Sequence, residues 1–264
     1  MKPIISVISI VNNEREARRF LLRGLSLQDV KFEFLPVDNR VSICQSASQA
    51  YNHTGIKASG DYLMFIHQDV FLRSRKWLKE AEDWLSTLSD VGIAGVAGMQ
   101  KPRFIDQLDV SARYLLLQKL NKLHLWFRHY GRGNVFHGPE ETPWGGTFVT
   151  NAVPVQTLDE LLLIIPFGIF EHTKFDEIVC DNWHLYGTDY SLRISQEGYR
   201  AYVLPCSVVH KSIGLINDSY LRTLMKLITK HRNERVINTT SGLCPTKQIL
   251  TKLLWSPDLI SCRD

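Results

Sequence analysis

The chain has 264 residues, 44% hydrophobic and 22% charged, and Lys+Arg 31 against Asp+Glu 27 gives a formal net charge of +4. A chain of this size buries roughly 70–75% of the surface its unfolded form exposes, and the composition is that of an ordinary globular protein, which excludes long disorder, a collagen-like repeat and a disulfide-dense mini-scaffold. The positive excess is small and contains no basic run, so it gives no nucleic-acid groove.

The first hundred residues alternate between strand and helix patterns. Residues 4–11 are a β-branched apolar run, the mark of a strand buried on both faces. Asn12 and Asn13 can cap the helix that follows. Residues 32–37 form a second strand ending at Asp38-Asn39, and a helix is predicted over 43–58. After Gly60-Asp61, residues 62–66 read as another buried strand, which ends at His67-Gln68-Asp69. Trp77, Leu78, Ala81, Trp84 and Leu85 recur at helical spacing, and residues 93–97 form a fourth strand. Residues 114–127 carry Leu and Lys at helical spacing and lead into a glycine-rich loop. Residues 161–165 read as a central strand, 183–198 contain a helix, 202–204 are the last predicted strand, and 219–230 form an amphipathic helix. No repeat or Pro/Gly/Ser linker divides the chain.

The cysteines Cys44, Cys180, Cys206, Cys244 and Cys262 are odd in number and form no C-x-x-C pair. That argues against a disulfide framework or a zinc ribbon and for a reducing compartment. The N-terminal residues have no signal-peptide pattern. The longest apolar stretch, 161–170, is interrupted by Pro166 and Gly168 and is too short to span a bilayer.

The element order predicts an open, mostly parallel α/β sheet with helices on both faces. Ligands of such sheets bind in the crevice outside the carboxyl ends of the strands. Asn12-Asn13-Glu14, Asp38-Asn39 and His67-Gln68-Asp69 all fall at such ends, and together they read as one crevice. Each alone also fits a loop or a helix cap. Asp69 is placed to hold a divalent cation that bridges phosphates, since such an ion needs few protein ligands when phosphates supply the rest. His210 is a candidate second ligand, because imidazole suits Mn²⁺ better than Mg²⁺; it also fits a histidine bonded to backbone. Lys211 reads as a diphosphate contact or as a solvated surface lysine. Trp144, followed by Gly145-Gly146, and Trp183 and Tyr186 read as aromatic surface open to a ligand, whereas Trp77 and Trp84 read as core.

Several short motifs stand in order along residues 4–214. They are the strand 5–13, Phe34-Leu35-Pro36-Val37-Asp38-Asn39, Ala50-Tyr51-Asn52-His53-Thr54-Gly55 with Ala58-Ser59-Gly60-Asp61, and the strand 62–70. Phe175-Asp176-Glu177, the run from Trp183 to Arg193, Gly198-Tyr199-Arg200-Ala201-Tyr202-Val203 and His210-Lys211-Ser212-Ile213-Gly214 follow. In this the chain resembles the family-2-like glycosyltransferases with the GT-A fold, and in particular the branch of streptomycin-type biosynthesis proteins. The usual metal motif of these enzymes is D-x-D. Here His67 takes its first position, giving the H-Q-D-V form of that branch, and Thr188 stands where many relatives have Glu.

The resemblance implies a metal-dependent inverting glycosyltransferase that moves a sugar from a nucleotide-diphosphate sugar to an acceptor hydroxyl. Nucleotide contacts would come from Val11, Asn13, Asp38, Asn52, His67 and Gln68. Mn²⁺ or Mg²⁺ would be held by Asp69 and His210, and Asp189 would be the catalytic base. Donor- and acceptor-sugar contacts would come from Asp159, Trp144, Gly146, Asp176, Glu177, His184 and Lys211. The acceptor would be a glycan, a lipid-linked molecule or a small molecule. The implied layout is a GT-A catalytic domain over 1–214, with a helical insertion, and a C-terminal helical extension over 215–264 packed on it. The expected location is cytoplasmic; the apolar segment 249–255 leaves peripheral membrane contact open, and the oligomeric state is not specified. Two other readings stand beside this one. A sugar nucleotidyltransferase would need a glycine-rich loop after the first strand to hold a triphosphate, and Val11-Asn12-Asn13-Glu14 has no glycine. A non-catalytic nucleotide- or carbohydrate-binding module would need neither Asp69 nor Asp189.

Overall fold

The apolar runs become strands in the computed structural model, which describes residues 4–102, 125–138, 140–212, 214, 216–234 and 236–245. The first half of the chain contains β1 (Ile5–Val11), α1 (Glu14–Ala17, Arg18–Leu22 and Arg23–Ser26), β2 (Glu33–Asp38), α2 (Ala47–Gly55), β3 (Tyr62–Ile66) and β4 (Val70–Leu72). Next come α3 (Trp77–Ser86), β5 (Val91–Gly95), β6 (Ala97–Met99), α4 (Leu125–Tyr130), β7 (Gly131–Gly133), β8 (Val135–His137) and β9 (Thr142–Pro143). The second half holds β10 (Val153–Val155), β11 (Thr157–Leu158), β12 (Leu162–Pro166), α5 (Phe167–His172), α6 (Tyr186–Gln196), β13 (Arg200–Val203), β14 (Val208–His210), α7 (Asp218–Lys230), β15 (Val236–Thr239) and β16 (Gly242–Pro245).

The main sheet has seven strands in the order β10-β13-β5-β12-β3-β1-β2. β1 pairs in parallel with both β2 and β3, and β13 with β5. β12 is central, as its apolar run predicts, but it runs antiparallel to both β3 and β5, and β10 runs antiparallel to β13. The sheet is therefore mostly parallel, with two reversed strands. Alternate residues of one strand divide between two apolar clusters: Val7, Met64 and Ile164 in one, Ile8, Phe65 and Ile165 in the other. The period-two pleat requires this, so each face of the sheet has its own core. Trp77 is fully buried and Trp84 packs against the same cluster, as their helical spacing predicts.

Helix starts follow local chemistry. The Asn13 side chain accepts from the Glu16 amide at 3.2 Å and starts α1, whose middle is a π-helical turn. Ser46 caps α2 by accepting from the Gln49 amide at 3.1 Å, so this helix begins later than the predicted residue 43.

Two features differ from the sequence reading. Residues 202–204 are not the last strand. A second, four-stranded sheet, β4-β14-β8-β9, lies beside the first, and the extension after residue 214 holds a β15–β16 hairpin as well as helix α7. A third small sheet has the order β11-β6-β7. These strands are two to four residues long, too short for the alternation that marks a strand in sequence. Most of the helix read over 114–127, and the apolar segment 249–255, lie outside the described residues. Among the described residues no helix is long and apolar enough to cross a membrane.

α7 docks on α6 through Leu185, Leu192, Tyr220, Leu227 and Ile228. A charge network lies beneath this contact. Asp189, on α6, is only 1% exposed; its two carboxylate oxygens accept from Lys230 Nζ at 2.7 and 2.9 Å, and Oδ1 lies 2.8 Å from His231 Nε2. Arg193 stands 3.7 Å away, and Lys230 also reaches Asp176 at 2.8 Å. Removing one member of a buried pair strands its partners, typically at about 3–5 kcal/mol. Asp189→Ala should therefore lower the unfolding free energy by about that amount in urea denaturation. A loss below about 1 kcal/mol, the range of exposed ion pairs, would show that the network does not hold α7 in place.

Candidate functional site

The parallel neighbours β2, β1 and β3 bring their carboxyl ends to one edge. The Asn39 amide donates to the Val11 carbonyl at 2.8 Å. Gln68 Oε1 accepts from the amides of Asn12 and Asn13 at 3.0 and 2.9 Å, and its Nε2 donates to Asn12 Oδ1. Gln68 thus ties the end of β3 to the end of β1. Asp38 lies exposed on the same rim, and hydrogen bonds from Arg40 hold its carboxyl down at about 2. Arg40 also reaches Glu14 at 3.2 Å.

Just past β3 the chain leaves the main sheet at His67-Gln68-Asp69 and enters β4. β14 pairs with β4 so that His210 stands opposite Val70, and with β8 so that His210 stands opposite His137. This pairing gathers His67, Asp69 and His210 into a group whose ligand atoms all lie within 4.8 Å of one another. His210 Nε2 is 3.4 Å from Asp69 Oδ1. At that distance it makes no aligned hydrogen bond, and the nitrogen is buried without a partner. Two ligand atoms at ~2.1 Å from one small ion lie at most ~4.2 Å apart, so an orphaned imidazole nitrogen facing a carboxylate at 3.4 Å fits a divalent cation. Imidazole in the set favours Mn²⁺ over Mg²⁺.

The surroundings fix these groups. Burial pushes the Asp69 carboxyl up, but His210, the donating Ser212 hydroxyl and His67 outweigh it and hold the carboxyl well below the usual range. The Lys211 amide donates to the Asp69 carbonyl at 3.2 Å. His67 Nε2 lies 3.1 Å from the Tyr186 hydroxyl. Burial, followed by the neighbouring His210, lowers His67 to about 4, which keeps its ring neutral as a metal ligand requires. The His137 ring lies 5.5 Å from that of His210, and its Nδ1 is 3.0 Å from the Ser212 carbonyl.

A cleft of about 590 Å³ opens beside this group, lined among others by His67, His137, Trp144, Asp159, Glu160, Trp183, His184 and His210. Of the residues singled out in the sequence, His67, Trp144, Asp159, Trp183, His184 and His210 therefore share one space, and Asp69 lies behind His210. Asp159 is held by the Leu161 amide at 3.0 Å and the Thr240 hydroxyl at 2.7 Å. The His184 ring packs edge-on against Tyr220, and burial lowers its pKa. Gly146 supports the wall from behind, since a Cβ there would come within 2.9 Å of the Trp144 ring.

Other expected site residues make contacts within the fold. Asn52 spends its amide on the Phe175 backbone, at 2.9 Å in both directions, and on Glu177 at 2.8 Å. It fastens α2 to the 175–177 loop and does not reach the cleft. Asp176 accepts from the Ile178 and Val179 amides and from Lys230; burial raises its carboxyl, but these partners bring it to about 2. Lys211 pairs with Glu16 on α1. Asp189, expected as the base, is closed off by Lys230 and His231 and does not line the cleft. Glu160 and His137, which do line the cleft, carry no motif in the sequence beyond the adjacent acids Asp159-Glu160 and the register that pairs His137 with His210.

A mannosyltransferase from Pyrobaculum calidifontis, solved with GDP-Man and Mn²⁺, matches at a TM-score of 0.50 and 14% identity over 89% of this chain and 65% of that one. S. aureus TarS 1-349, solved with UDP-GlcNAc, matches at 0.53 and 13% identity over 88% and 67%. GalNAc-T7, solved with UDP, GalNAc and Mn²⁺, matches at 0.54 and 11% identity over 86% and 48%. At these identities the likeness is one of fold, the GT-A fold, and the chain spans about two thirds or less of each of these proteins. No curated protein matches the chain in sequence. The model of the glycosyltransferase-like family matches residues 6–222, which include the β1–β3 rim, the His67–Asp69–His210 group and α6. The chain belongs to this glycosyltransferase-like family.

Proposed function

We propose that the chain transfers a sugar from a nucleoside diphosphate sugar to an acceptor hydroxyl, with metal assistance and with inversion at the anomeric carbon. The observation that carries this reading is the buried His67–Asp69–His210 group at the carboxyl end of β3, open to the cleft and inside the family match. Donors of the class seen in the structural neighbours, UDP- and GDP-sugars, suit a rim of strand ends beside a cation site. The H-Q-D-V sequence at 67–70 is the feature shared with the streptomycin-type branch.

Asp69 and His210, with His67 beside them, would hold the ion. When bound, a divalent ion neutralises charge on the diphosphate leaving group. The chain's own residues do the rest. Ser212 and the Lys211 amide fix Asp69 in one orientation, and Tyr186 fixes His67. Trp144 and Trp183 give the cleft apolar surface against which a sugar ring can lie. A carboxylate on the acceptor side takes the hydroxyl proton. Residues 1–214 form the catalytic unit in this reading, with α7 and the β15–β16 hairpin packed on it. The acceptor is a glycan, a lipid-linked molecule or a small molecule.

The nucleotidyltransferase alternative loses ground on one observation. The Asn12 and Asn13 amides, which would have to cradle a triphosphate, are already taken by Gln68.

Two outcomes follow. UDP or GDP should raise the melting temperature when Mn²⁺ is present, and excess chelator should abolish the effect; at 100-fold over Kd the stabilisation is about 2.7 kcal/mol. Asp69→Ala should lose the Mn²⁺-dependent part of the shift, and a wild-type chain stabilised equally with and without metal would contradict the reading. In a Mn²⁺ titration at fixed nucleotide, His210→Ala should raise the half-effective Mn²⁺ concentration by at least ~10-fold. An unchanged midpoint would remove His210 from the site.

A further inference from the structure

We infer that His137 reads a hydroxyl of the donor sugar through the lone pair of its Nε2; the inference rests on the glycosyltransferase reading above. His137 is the last residue of β8 and lines the cleft. β8 runs parallel to β14 with His137 opposite His210, and the Gly138 amide donates to the His210 carbonyl at 3.1 Å. Arg73, just past β4, lies with its guanidinium 4.2 Å from the centre of the Phe136 ring and pairs with Glu141, between β8 and β9, at 2.8 Å. The β8–β9 hairpin is thus fastened to β14 and to the end of β4, and the imidazole projects from a fixed backbone.

One hydrogen bond decides which ring nitrogen can meet a ligand. His137 Nδ1 lies 3.0 Å from the Ser212 carbonyl. A carbonyl only accepts, so Nδ1 carries the proton and the neutral ring keeps a lone pair on Nε2. No described donor reaches that lone pair. Ser212 also donates its hydroxyl to Asp69. One residue therefore sets both the carboxylate of the cation site and the imidazole next to it. His137 itself stands outside the group of His67, Asp69 and His210, with its ring centre 5.5 Å from that of His210. A lone pair repels a phosphate oxygen and attracts a hydroxyl, so beside a diphosphate at the cation site it selects the part of the donor that carries hydroxyls.

The same hairpin supplies an apolar surface. The Trp144 amide donates to the Val135 carbonyl at 3.0 Å, which ties Trp144 to β8, and Trp144 lines the same cleft. A sugar ring presents an apolar C–H face and a rim of hydroxyls. An indole and a fixed acceptor on one hairpin match both features, in the way ligand sites join apolar lining to a few placed polar groups. A site built to bond a hydroxyl also rejects a donor that lacks it or points it elsewhere, which makes His137 a specificity-determining residue for the sugar.

The test compares wild type with His137→Phe, which keeps a ring and removes the lone pair, and with His137→Gln, whose Oε1 can take the place of Nε2. Calorimetric titrations with Mn²⁺ at pH 8, where an ordinary histidine is neutral, give Kd for UDP, GDP, UDP-GlcNAc, UDP-glucose and GDP-mannose. In His137→Phe the affinity for the sugar nucleotide that wild type binds best should fall at least ~3-fold, the worth of one neutral hydrogen bond, while UDP and GDP bind as before. His137→Gln should recover part of the loss. A fall smaller than that, a loss that His137→Gln does not recover at all, or a parallel loss of UDP and GDP binding overturns the inference and leaves the glycosyltransferase reading standing; the last outcome would make His137 a support of the cation site or the fold. A wild-type chain that binds UDP or GDP but none of the three sugar nucleotides overturns it as well. A wild-type chain that binds none of the five probes refutes the glycosyltransferase reading itself, and the role of His137 with it.

Discussion

The chain changes sheets at Asp69. β3 ends at Ile66 in the main sheet and β4 begins at Val70 in the second, so the three residues between them are fixed at both ends. The second sheet then supplies His210 through a register in which His210 faces Val70. A one-residue slip of β14 would turn His210 to the opposite face and leave Asp69 facing no imidazole. The His67–Asp69–His210 group depends on that register.

The main sheet was legible in the sequence because its strands are long enough to read. β1, β3 and β12 are five- to seven-residue apolar runs, and a strand buried on both faces needs that composition. The direction of β12 was not legible: an apolar run carries no sign for parallel or antiparallel pairing, which the connections decide. β4, β8, β9 and β14 exist only through their partners, and short strands leave almost no local pattern.

The site divides along the same line. Asp69 and His210 stood out in the sequence as a carboxylate and an imidazole at strand ends, and the fold brings their ligand atoms together with those of His67 within 4.8 Å. His67, expected as a nucleotide contact, belongs with the metal group because the chain turns after Ile66. Asn52 and Asp176 look like ligand residues in a string of letters, yet the first fastens a loop and the second closes a turn. Backbone groups in buried turns need such partners, and the same polar side chains serve either purpose.

The position of α7 sets the surroundings of Asp189: Lys230 and His231 hold the acid of α6 and tie the C-terminal helix to it. Asp159 and Glu160 line the cleft. Anomalous scattering from a crystal of the chain grown with Mn²⁺ and UDP tests the cation site most directly. A manganese peak is expected between Asp69 and His210, beside the cleft. A peak elsewhere, or nucleotide bound with no manganese at these residues, would contradict it.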